Sequence, residues 1–521
     1  MTRSRGVSAL ILSLFLTVLA AAQVASTSLR GVVKDPSGAV VPNAKITLTN
    51  AATGQVISAT SNGSGEYAFP QIPPARYTIE AIASGFGSQT KEAELLVNQP
   101  ATINFTMTVQ AASQVVNVSA AAETLNTTDA SLGNAMGNTL IQALPSETRN
   151  VPDLLSLQPG VLYLPSGSGG VGASESNPMG DSRSGAVNGV RSDQGDVTID
   201  GVDDNDQVYG YAFTGVMRET QDSVDEFRVA TANSNADEGR SAGAQVSLIT
   251  KSGTNKFHGS AYEYNRPTMT VANNWFNKQA ELNSGEANVA PKLIRNIFGA
   301  TVGGPIVRDK LFFFGNYEGT RQAEDTEVTQ TVATSSYLSG NLIYQGDDPS
   351  GNIVNVTLTP AQVATLDAPC AGQGAGMGCS NTQYTPGPGP DPYALAYFKS
   401  EPAANGTLTG DGLNTGSFTF ASPNPQTLNT SILRLDWTPN QKHRIFVRGG
   451  LQKDTTQGTE QFPGQGPSSY YEDNTKGIIA GDTWSISPNL INDLRYGYIR
   501  QGNSNRGVGS GDYVDFRFMS S

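Results

Sequence analysis

Short alternations of apolar and polar residues fill the chain from about residue 26 to residue 110. Apolar side chains take every second position over residues 102–109, and Ile46 and Leu48 alternate with threonines in the same way. Turn-forming sequences, such as residues 35–38, interrupt these runs roughly every eight to twelve residues. Because period-two alternation places one row of side chains in a core and the other in water, residues 26–110 are predicted to form a β-sandwich of about seven strands.

The second half of the chain alternates in longer runs. In residues 251–521 one face of each run is apolar and the other is charged or polar. Leu433, Leu435 and Trp437 alternate with Arg434 and Asp436, and Leu494, Tyr496 and Tyr498 alternate with Asp493 and Arg495. A membrane-spanning strand of about 9–11 residues needs such an apolar row towards lipid and a polar row towards the lumen. Residues 251–521 are therefore predicted to form an incomplete transmembrane β-barrel.

The connections and the aromatic residues of this part favour the same prediction. The turns at Pro439 and Pro488 are short, whereas residues 323–429 are predicted to form one long polar excursion. Barrels of this kind combine short turns at one end with long loops at the other. The aromatic run at residues 312–314 is predicted to lie at a membrane interface, where aromatic side chains accumulate.

The N-terminal residues have the pattern of a secretory signal peptide. Arg3 and Arg5 precede an apolar run over residues 7–19, and an Ala-rich stretch ends at Ala22. The run is shorter than the roughly 20 residues that span a bilayer. Residues 1–22 are therefore predicted to be a cleaved signal peptide, and the protein is expected to be exported.

Composition excludes some classes of function. Charged residues make up 15% of the chain and apolar residues 37%, and 57 residues are glycine, which is typical of a turn-rich β protein. The net charge of −13 argues against nucleic acid as a partner, because phosphate binding needs clustered Lys and Arg. The sequence predicts no cofactor and no catalytic residue, and hence no enzyme.

The two cysteines lie close together in a Gly-rich stretch. Cys370 and Cys379 are a candidate disulfide, which an oxidising compartment would allow. Neither has a further Cys or His nearby, so no zinc site is predicted.

The segment from residue 131 to residue 250 carries both helix and strand signals. Apolar residues that fit one helix face precede a Pro-Gly stop; they are Val151, Leu154, Leu155 and Leu157. Asn188-Gly189 and Asp200-Gly201 predict tight turns between short strands. A mixed α/β structure is therefore expected over residues 131–250.

Four aspartates lie in or just after the second of these turns and suggest calcium as one alternative. They are Asp200, Asp203, Asp204 and Asp206. Their spacing lacks the regular calcium loop and its distal Glu. We therefore predict a turn with solvated carboxylates and no metal.

The N-terminal segment resembles a known domain family. Residues 31–44, 64–69 and 74–79 are similar to the opening and the middle of a carboxypeptidase regulatory-like domain. The resemblance implies a transthyretin-like, carbohydrate-binding-like sandwich, and leaves a spacer role and sugar binding as alternatives. A zinc carboxypeptidase needs two His and a Glu, but the chain has only His258 and His443, with no acid at the required spacing.

The rest of the chain resembles TonB-dependent outer-membrane receptors, especially their Oar-like branch. Residues 143–161, 187–203 and 223–255 are similar to the plug and the plug-to-barrel junction, and residues 297–319 to early barrel strands. The resemblance implies a plug over residues 131–250 and the N-terminal part of a barrel over residues 251–521. It also implies location in the outer membrane, contact with outer-membrane lipid, an unknown external ligand, and a TonB-type energy-transducing partner in the periplasm.

The resemblance gives the linker a candidate role as well. Residues 111–130 contain an extended island in which Val115, Val116 and Val118 could pair with the energy-transducing partner by strand addition. A plain linker strand is the alternative. Because transporters of this type have about 22 strands and only about eight candidates are visible, the chain is expected to be C-terminally truncated.

The function predicted from the sequence is uptake of an unidentified substrate across the outer membrane, with the plug gating the barrel lumen. A secreted or surface-attached adhesion or carbohydrate-binding β protein is the first alternative, because soluble sandwiches also alternate. An exported hydrolase is the second, and it would depend on His258 or His443.

Overall fold

The computed structural model describes most of the chain. The residues described are 26–108, 131–144, 149, 151–163, 185–191, 194–205, 216–234, 239, 241–273, 275, 278–279, 282, 285, 287–367, 389–487 and 490–507. The predicted signal peptide (1–22), the whole predicted linker (111–130) with Val115, Val116 and Val118, and also Asp206, Cys370 and Cys379 lie outside these residues.

The N-terminal part is a β-sandwich of two four-stranded sheets. Its strands are β1 (Thr27–Lys34), β2 (Lys45–Asn50), β3 (Val56–Thr60), β4 (Glu66–Ile72), β5 (Ala75–Ile82), β6 (Gln89–Leu95), β7 (Ala101–Thr102) and β8 (Phe105–Thr106). One sheet has the order β3-β2-β5-β6, and the other joins β4, β1, β7 and β8. Because β7 and β8 both run parallel to β1, they form one interrupted strand line, and the predicted seven-stranded sandwich is confirmed.

The alternating residues of the sequence form the sandwich core. Leu29, Ile46, Leu48 and Phe105 are fully buried between the two sheets. Removing side chains of this size from water stabilises the fold by about 1.5–3 kcal/mol each. Tyr67 is buried with them, and its hydroxyl donates a hydrogen bond of 2.5 Å to the backbone carbonyl of Ile103.

The Tyr67 hydroxyl gives a first prediction. Tyr67→Phe leaves the Ile103 carbonyl without this donor in a buried place, so the free energy of unfolding of the sandwich should fall by about 1–2 kcal/mol. Chemical denaturation followed by circular dichroism measures the change. Tyr393→Phe, at a side chain that is mostly exposed, is the matched control and should change nothing; equal stability of the two variants would contradict the prediction.

Residues 131–250 form a second body, called here the middle body. Its elements are β9 (Leu132–Gly137), α1 (Asn138–Ala143), a 3-10 helix (Val151–Leu157), β10 (Val161–Tyr163), β11 (Gly185–Val187), β12 (Val190–Arg191), β13 (Asp196–Ile199), β14 (Val202–Asp203), β15 (Val224–Ala232) and β16 (Gln245–Thr250). Five strands form one sheet in the order β14-β13-β16-β15-β9, and β10, β11 and β12 form a small separate sheet.

Two local predictions for the middle body can be compared with this structure. The Asn188-Gly189 and Asp200-Gly201 turns join neighbouring antiparallel strands, and all four residues have positive φ, as two-residue hairpin turns require. The predicted helix face is partly wrong. Val151, Leu154 and Leu155 are buried, but Leu157 is 54% exposed, because the segment is a 3-10 helix and its last residue turns away from the core.

The remaining strands form one twelve-stranded sheet, the barrel sheet, and one separate hairpin. They are β17 (His258–Arg266), β18 (Leu293–Val307), β19 (Leu311–Ala333), β20 (Leu342–Asp347), β21 (Ile353–Leu358), β22 (Leu408–Thr409), β23 (Thr415–Pro423), β24 (Gln426–Asn440), β25 (His443–Gln452), β26 (Asp454–Gln457), β27 (Ser469–Asp473), β28 (Lys476–Ser487), β29 (Leu490–Arg500) and β30 (Asn503–Gly507). A second 3-10 helix (Thr268–Thr270) and the helices α2 (Ser335–Leu338), α3 (Pro360–Asp367) and α4 (Pro392–Ser400) lie between strands. No described helix is long and apolar enough to cross a membrane.

The continuous path of the barrel sheet is β17-β18-β19-β24-β25-β28-β29. Consecutive strands are antiparallel, and residues 308–310 and 441–442 turn the chain at one end, called here the short-turn end. The opposite end carries the long connections and is called the loop end. Within the described residues the sheet does not close into a full barrel, which agrees with the predicted incomplete barrel.

The predicted long excursion over residues 323–429 is wrong in its bounds. Strand β19 continues to Ala333, and its last residues pair with β23, so both extend the sheet beyond the loop end. Residues 323–333 are largely polar, so their sequence did not suggest a strand.

The outward face of the barrel sheet carries the apolar row that the alternation predicted. Leu433, Leu494, Tyr496 and Tyr498 are between 55% and 61% exposed, although each lies in the middle of a paired strand. A row of exposed large apolar side chains is stable where the surrounding medium is lipid.

The predicted interface position of the aromatic run at 312–314 is only partly correct. Phe312 and Phe314 point inward and are buried, because alternation places only Phe313 on the outer face.

The outward row gives a second prediction. Leu433→Arg should destabilise the protein in lipid vesicles by about 2–4 kcal/mol, because a charge on the lipid-facing side is costly near the middle of the membrane. The urea concentration that unfolds the reconstituted protein is the measurement. The inward-facing Thr320→Arg is the control, and a similar loss in both variants would count against a lipid-facing row.

Candidate functional site between the middle body and the inner face of the barrel sheet

The middle body packs against the inward row of the barrel sheet. Charged side chains on β24 and β25 point to this side because they alternate with the outward apolar row. Across them lie the Asp200 turn and residues 216–223, which connect the short strands of the middle body. The two are joined by ion pairs, by hydrogen bonds and by apolar packing, since Phe446 and Ile479 of the barrel sheet belong to the hydrophobic cluster of the middle body.

The first contact joins Arg434 on β24 to the turn between β13 and β14. Arg434 Nη1 lies 3.0 Å from Asp200 Oδ1 and donates to the backbone carbonyl of Thr250 at the same distance. Asp200 also accepts hydrogen bonds from the Thr250 amide (3.0 Å) and hydroxyl (2.6 Å). The other edge of the guanidinium binds Asp436 on its own strand, at 2.9 Å. The turn is therefore fixed to the barrel wall through a fully bonded carboxylate.

The second contact is the most deeply buried. Arg448 on β25 has no exposed surface, and it is the largest fully buried side chain of the described residues. Its Nη2 pairs with the buried carboxylate of Glu219, and its Nε lies 3.9 Å from Asp200 Oδ2. Two charges with this little water between them attract strongly, and separating them would leave each one unpaired in a poorly solvated place.

A third contact runs in the opposite direction, from a cation of the middle body to acceptors on the barrel. Arg218 binds both carboxylate oxygens of Asp454, at 2.7 and 2.9 Å. Its Nε and Nη2 donate to the Thr430 hydroxyl at 3.0 and 2.7 Å, and its backbone amide donates to Gln452. This two-pronged geometry fixes orientation as well as distance.

Arg149 forms a fourth contact, against β17. Its guanidinium carbon lies 4.2 Å from the ring centre of Tyr264 and 5.1 Å from that of Tyr262. Asp222 of the middle body pairs with Arg149, and Glu318 of the barrel lies 3.9 Å away. The cation therefore binds both to aromatic faces and to acidic groups.

A cavity of about 270 Å³ opens beside Arg149. Tyr264 and Arg266 line it from β17, Arg295 lines it from β18, and Gln142 and Gln221 line it from the middle body. The barrel residues of this lining lie in the part of β17 and β18 nearer the loop end.

Glycines on the inner wall accept apolar side chains of the middle body. A Cβ added to Gly477 would lie 2.4 Å from the sulfur of Met217, and one added to Gly450 would lie 2.2 Å from its terminal methyl. A Cβ added to Gly497 would lie 2.1 Å from Val202. Because glycine has no side chain, these positions on three strands leave the space that Met217 and Val202 fill.

Apart from the main-chain connection at residues 251–257, this arrangement holds the middle body against the sheet by noncovalent contacts alone. Ion pairs give it a defined position, and the glycine gaps give it shape complementarity. All of these contacts are reversible, so a sufficient force could separate the two surfaces.

The hydrolase alternative depended on His258 and His443. His258 is exposed, and its Nδ1 lies 3.2 Å from the Thr254 hydroxyl. His443 Nδ1 lies 2.8 Å from Asp482, and its ring stacks on Trp484 with the ring centres 5.2 Å apart. His443 and Trp484 lie opposite each other on neighbouring strands at the short-turn end. The hydrogen bonds of the described residues do not bring a serine hydroxyl to His443.

The prediction of solvated carboxylates at the Asp200 turn is wrong for Asp200 and Asp204, whereas Asp203 is half-buried and Asp206 lies outside the described residues. Asp200 is 3% exposed and Asp204 is 1% exposed. Asp200 is bonded to Arg434 and Thr250, and Asp204 accepts from the Met217 amide at 3.0 Å. Their burial follows from contact with the barrel wall. Within the described ranges, no three acidic, His or Cys side chains come together as metal ligands.

The alternation predicted that Arg434 lies on the polar face of its strand but did not reveal its partner, Asp200. Glu219, Arg218 and Asp454 were not recognised at all. The available signal was a charged residue in the middle of an otherwise membrane-like strand, because such a charge needs a partner on the lumen side.

Comparisons with known proteins agree with this geometry. The family model described as the outer membrane beta barrel domain matches residues 249–515, just over half of the chain. The model of the carboxypeptidase regulatory-like domain matches residues 28–108. The chain therefore belongs to the family of outer-membrane β-barrel proteins, and its place is the outer membrane.

One curated relative shows a more specific similarity. The TonB-dependent transporter Oar of Myxococcus xanthus is 25% identical over 269 residues, which cover 49% of this chain and 23% of the relative. The chain thus spans less than a quarter of the length of the relative that it matches. The predicted resemblance to the Oar-like branch is confirmed.

Solved structures give weaker likenesses. The outer membrane transporter YddB of Escherichia coli is 12% identical, with a TM-score of 0.41, over 72% of this chain and 39% of that chain. A catechol 1,2-dioxygenase of Acinetobacter radioresistens is 13% identical, with a TM-score of 0.15, over 19% of this chain and 58% of that chain. At these TM-scores neither likeness carries information about function.

The buried pair gives a third prediction. Arg448→Met should lower the free energy of unfolding by about 3–5 kcal/mol, because Glu219 would remain buried without its cation. The double change Arg448→Met with Glu219→Leu should recover most of the loss. Urea titration of the detergent-solubilised protein measures both.

The exposed pair of Arg506 with Glu472 provides the control, since Arg506→Met should have almost no effect. A double variant as unstable as Arg448→Met would show that the ion pair is not the reason for the loss.

Proposed function

We propose that this protein is a TonB-dependent transporter, in which residues 131–250 are the plug and residues 251–521 contribute to the barrel. The observation that supports this most strongly is the set of ion pairs that fix the middle body to the inner face of the barrel sheet, led by Arg434–Asp200 and Arg448–Glu219. A body of polar surface in the lumen of a membrane barrel blocks free passage, and it must move for a large substrate to pass.

The proposal assigns each end of the barrel sheet to one side of the outer membrane. Outer-membrane barrels have short periplasmic turns and long external loops. We therefore assign the short-turn end to the periplasm and the loop end to the exterior. The sandwich, residues 26–110, then lies in the periplasm after removal of a signal peptide at residues 1–22, and the cavity beside Arg149 faces the external side.

The proposed partners follow from the same orientation. A TonB-type protein in the periplasm would pair with the linker, residues 111–130, by strand addition at Val115, Val116 and Val118. The role proposed is transport without catalysis.

Loosening the plug tests the proposal. Gly497→Val places a side chain where Val202 now packs, so the plug should fit less closely and the outer membrane should become permeable to large antibiotics that it normally excludes. The measurement is the antibiotic concentration that stops growth of cells that produce the variant.

Gly449→Val is the matched control, because a Cβ at Gly449 meets nothing within 4 Å. It should leave permeability unchanged. If Gly497→Val is present in the outer membrane at the normal amount and permeability stays low, the plug assignment is wrong.

A further inference from the structure

We propose that one end of the N-terminal sandwich is a docking surface for the short-turn end of this chain's own barrel and middle body, and that docking holds the plug in place. Three contacts join the parts. They involve Val97 with Glu226, the turn at residues 52–53 with Asn255, and Gln71 with Arg444. The inference goes beyond the transport role, since a transporter could carry an undocked sandwich.

The contact at Asn255 connects three parts of the chain. The side-chain amide of Asn255 donates to the Thr53 carbonyl and to Asp309 Oδ1, each at 2.7 Å. Its oxygen accepts from the Asp309 amide at 2.9 Å, and its own backbone amide donates to the Ala52 carbonyl at 3.1 Å. Asn255 precedes β17 and Asp309 lies in the turn between β18 and β19, so the sandwich binds where the middle body passes into the barrel.

This contact is a close fit as well as a polar one. Gly54 follows the turn that Asn255 binds and has a φ of +72°. A Cβ added at Gly54 would lie 3.0 Å from Asp309 Oδ1 and 3.4 Å from Asn255 Nδ2. The turn between β2 and β3 therefore approaches the barrel turn at a distance that suits glycine.

The second contact reaches into the middle body. Glu226 lies on β15, is 4% exposed, and accepts a hydrogen bond of 2.5 Å from the backbone amide of Val97, which is fully buried. Strand β15 lies between β9 and β16 in the sheet. Moving this sheet away from the short-turn end must therefore break the Val97–Glu226 hydrogen bond.

The groups around Glu226 make this contact sensitive to charge. Asp225 and Arg228 flank it on its own strand, and Glu94 faces it from β6 of the sandwich. The neighbouring strands β9 and β16 place Gly137 and Ile249 opposite it. Burial, with help from Asp225 and Glu94, raises the pKa of Glu226 to about 8, against the lowering effect of the Val97 amide and Arg228.

The third contact involves a different strand of the barrel sheet. Arg444, near the start of β25, has its Nη2 3.5 Å from the carbonyl of Gln71 in β4. Alone this is a weak contact. Together the three contacts touch the middle body, the junction and two neighbouring parts of the barrel sheet, so the sandwich bridges the plug and the barrel wall.

Distance measurements between spin labels test docking directly. Labels are placed on the exposed positions Ser58→Cys in the sandwich and Lys442→Cys in the barrel turn, in the full chain with Cys370→Ser and Cys379→Ser. A docked sandwich gives one narrow distance distribution in the reconstituted protein. A broad distribution would overturn the proposal.

Variants of the contact residues make the test specific. Asn255→Ala removes the side-chain hydrogen bond to the Thr53 carbonyl and the one to Asp309. The ratio of docked to undocked chains should therefore fall about tenfold, and a second, longer distance between the labels should appear. The matched control is Asn352→Ala in an external loop, which should leave the narrow distribution unchanged. An unchanged distribution in Asn255→Ala would also overturn the proposal.

The pH response provides an independent measurement. Undocking would return the pKa of Glu226 towards its ordinary value of 4.5, so the docked state binds the proton more tightly. Docking should therefore be strongest in acid, and it should weaken as the pH rises to about 8 and Glu226 loses its proton. Glu226→Gln should stay docked at high pH, whereas the exposed control Glu92→Gln should respond like the unmodified chain.

An unmodified chain that does not respond to pH, or a Glu226→Gln variant that still undocks at high pH, would remove Glu226 from the docking surface. Antibiotic permeability serves as the second readout of the same variants. Failure of docking in these measurements leaves the transport proposal intact, because the Gly497→Val test does not involve the sandwich.

Discussion

Arg448 imposes the constraint on which the rest of the structure depends. Its guanidinium has no contact with solvent, and an ion of this size costs several kcal/mol to bury unless it is paired. The barrel sheet has no partner for it among its own described ion pairs, and the middle body supplies Glu219 and the nearby Asp200. The inner wall and the body that it holds are therefore stable together in a way that neither would be alone.

The same strands meet a second constraint on their opposite face. A shift of one residue in strand register would turn Leu433 inward and Arg434 outward, because the side-chain period in a strand is two. That shift would place a cation in lipid and remove it from Asp200 at the same time. Lipid on one side and the carboxylates of the middle body on the other thus select one register, which also aligns Gly477 and Gly497 with the side chains they accommodate.

Local features of this fold could be predicted from sequence, and distant pairings could not. Alternation predicted that Leu48 lies in the sandwich core and Leu433 in the outward apolar row. The Asp200-Gly201 pair predicted the tight turn that it forms. The partner of that turn, Arg434, is 234 residues away, and no local pattern connects the two. The carboxylate at Asp200 therefore looked solvated in the sequence although it is buried. The length of β19 was missed for a related reason, since its last residues pair with β23, which lies far away in the sequence.

The two interfaces of the middle body differ in kind, and this difference sets an order of release. On the barrel wall, buried ion pairs such as Arg448–Glu219 resist separation, because breaking them leaves charges unpaired. On the sandwich side the contacts are hydrogen bonds, such as the one from the Val97 amide to Glu226, each worth about 1 kcal/mol net. Water can replace these bonds at little cost once the surfaces separate. A force that separates these parts would therefore free the sandwich from the middle body first, and only afterwards break the ion pairs between the middle body and the barrel sheet.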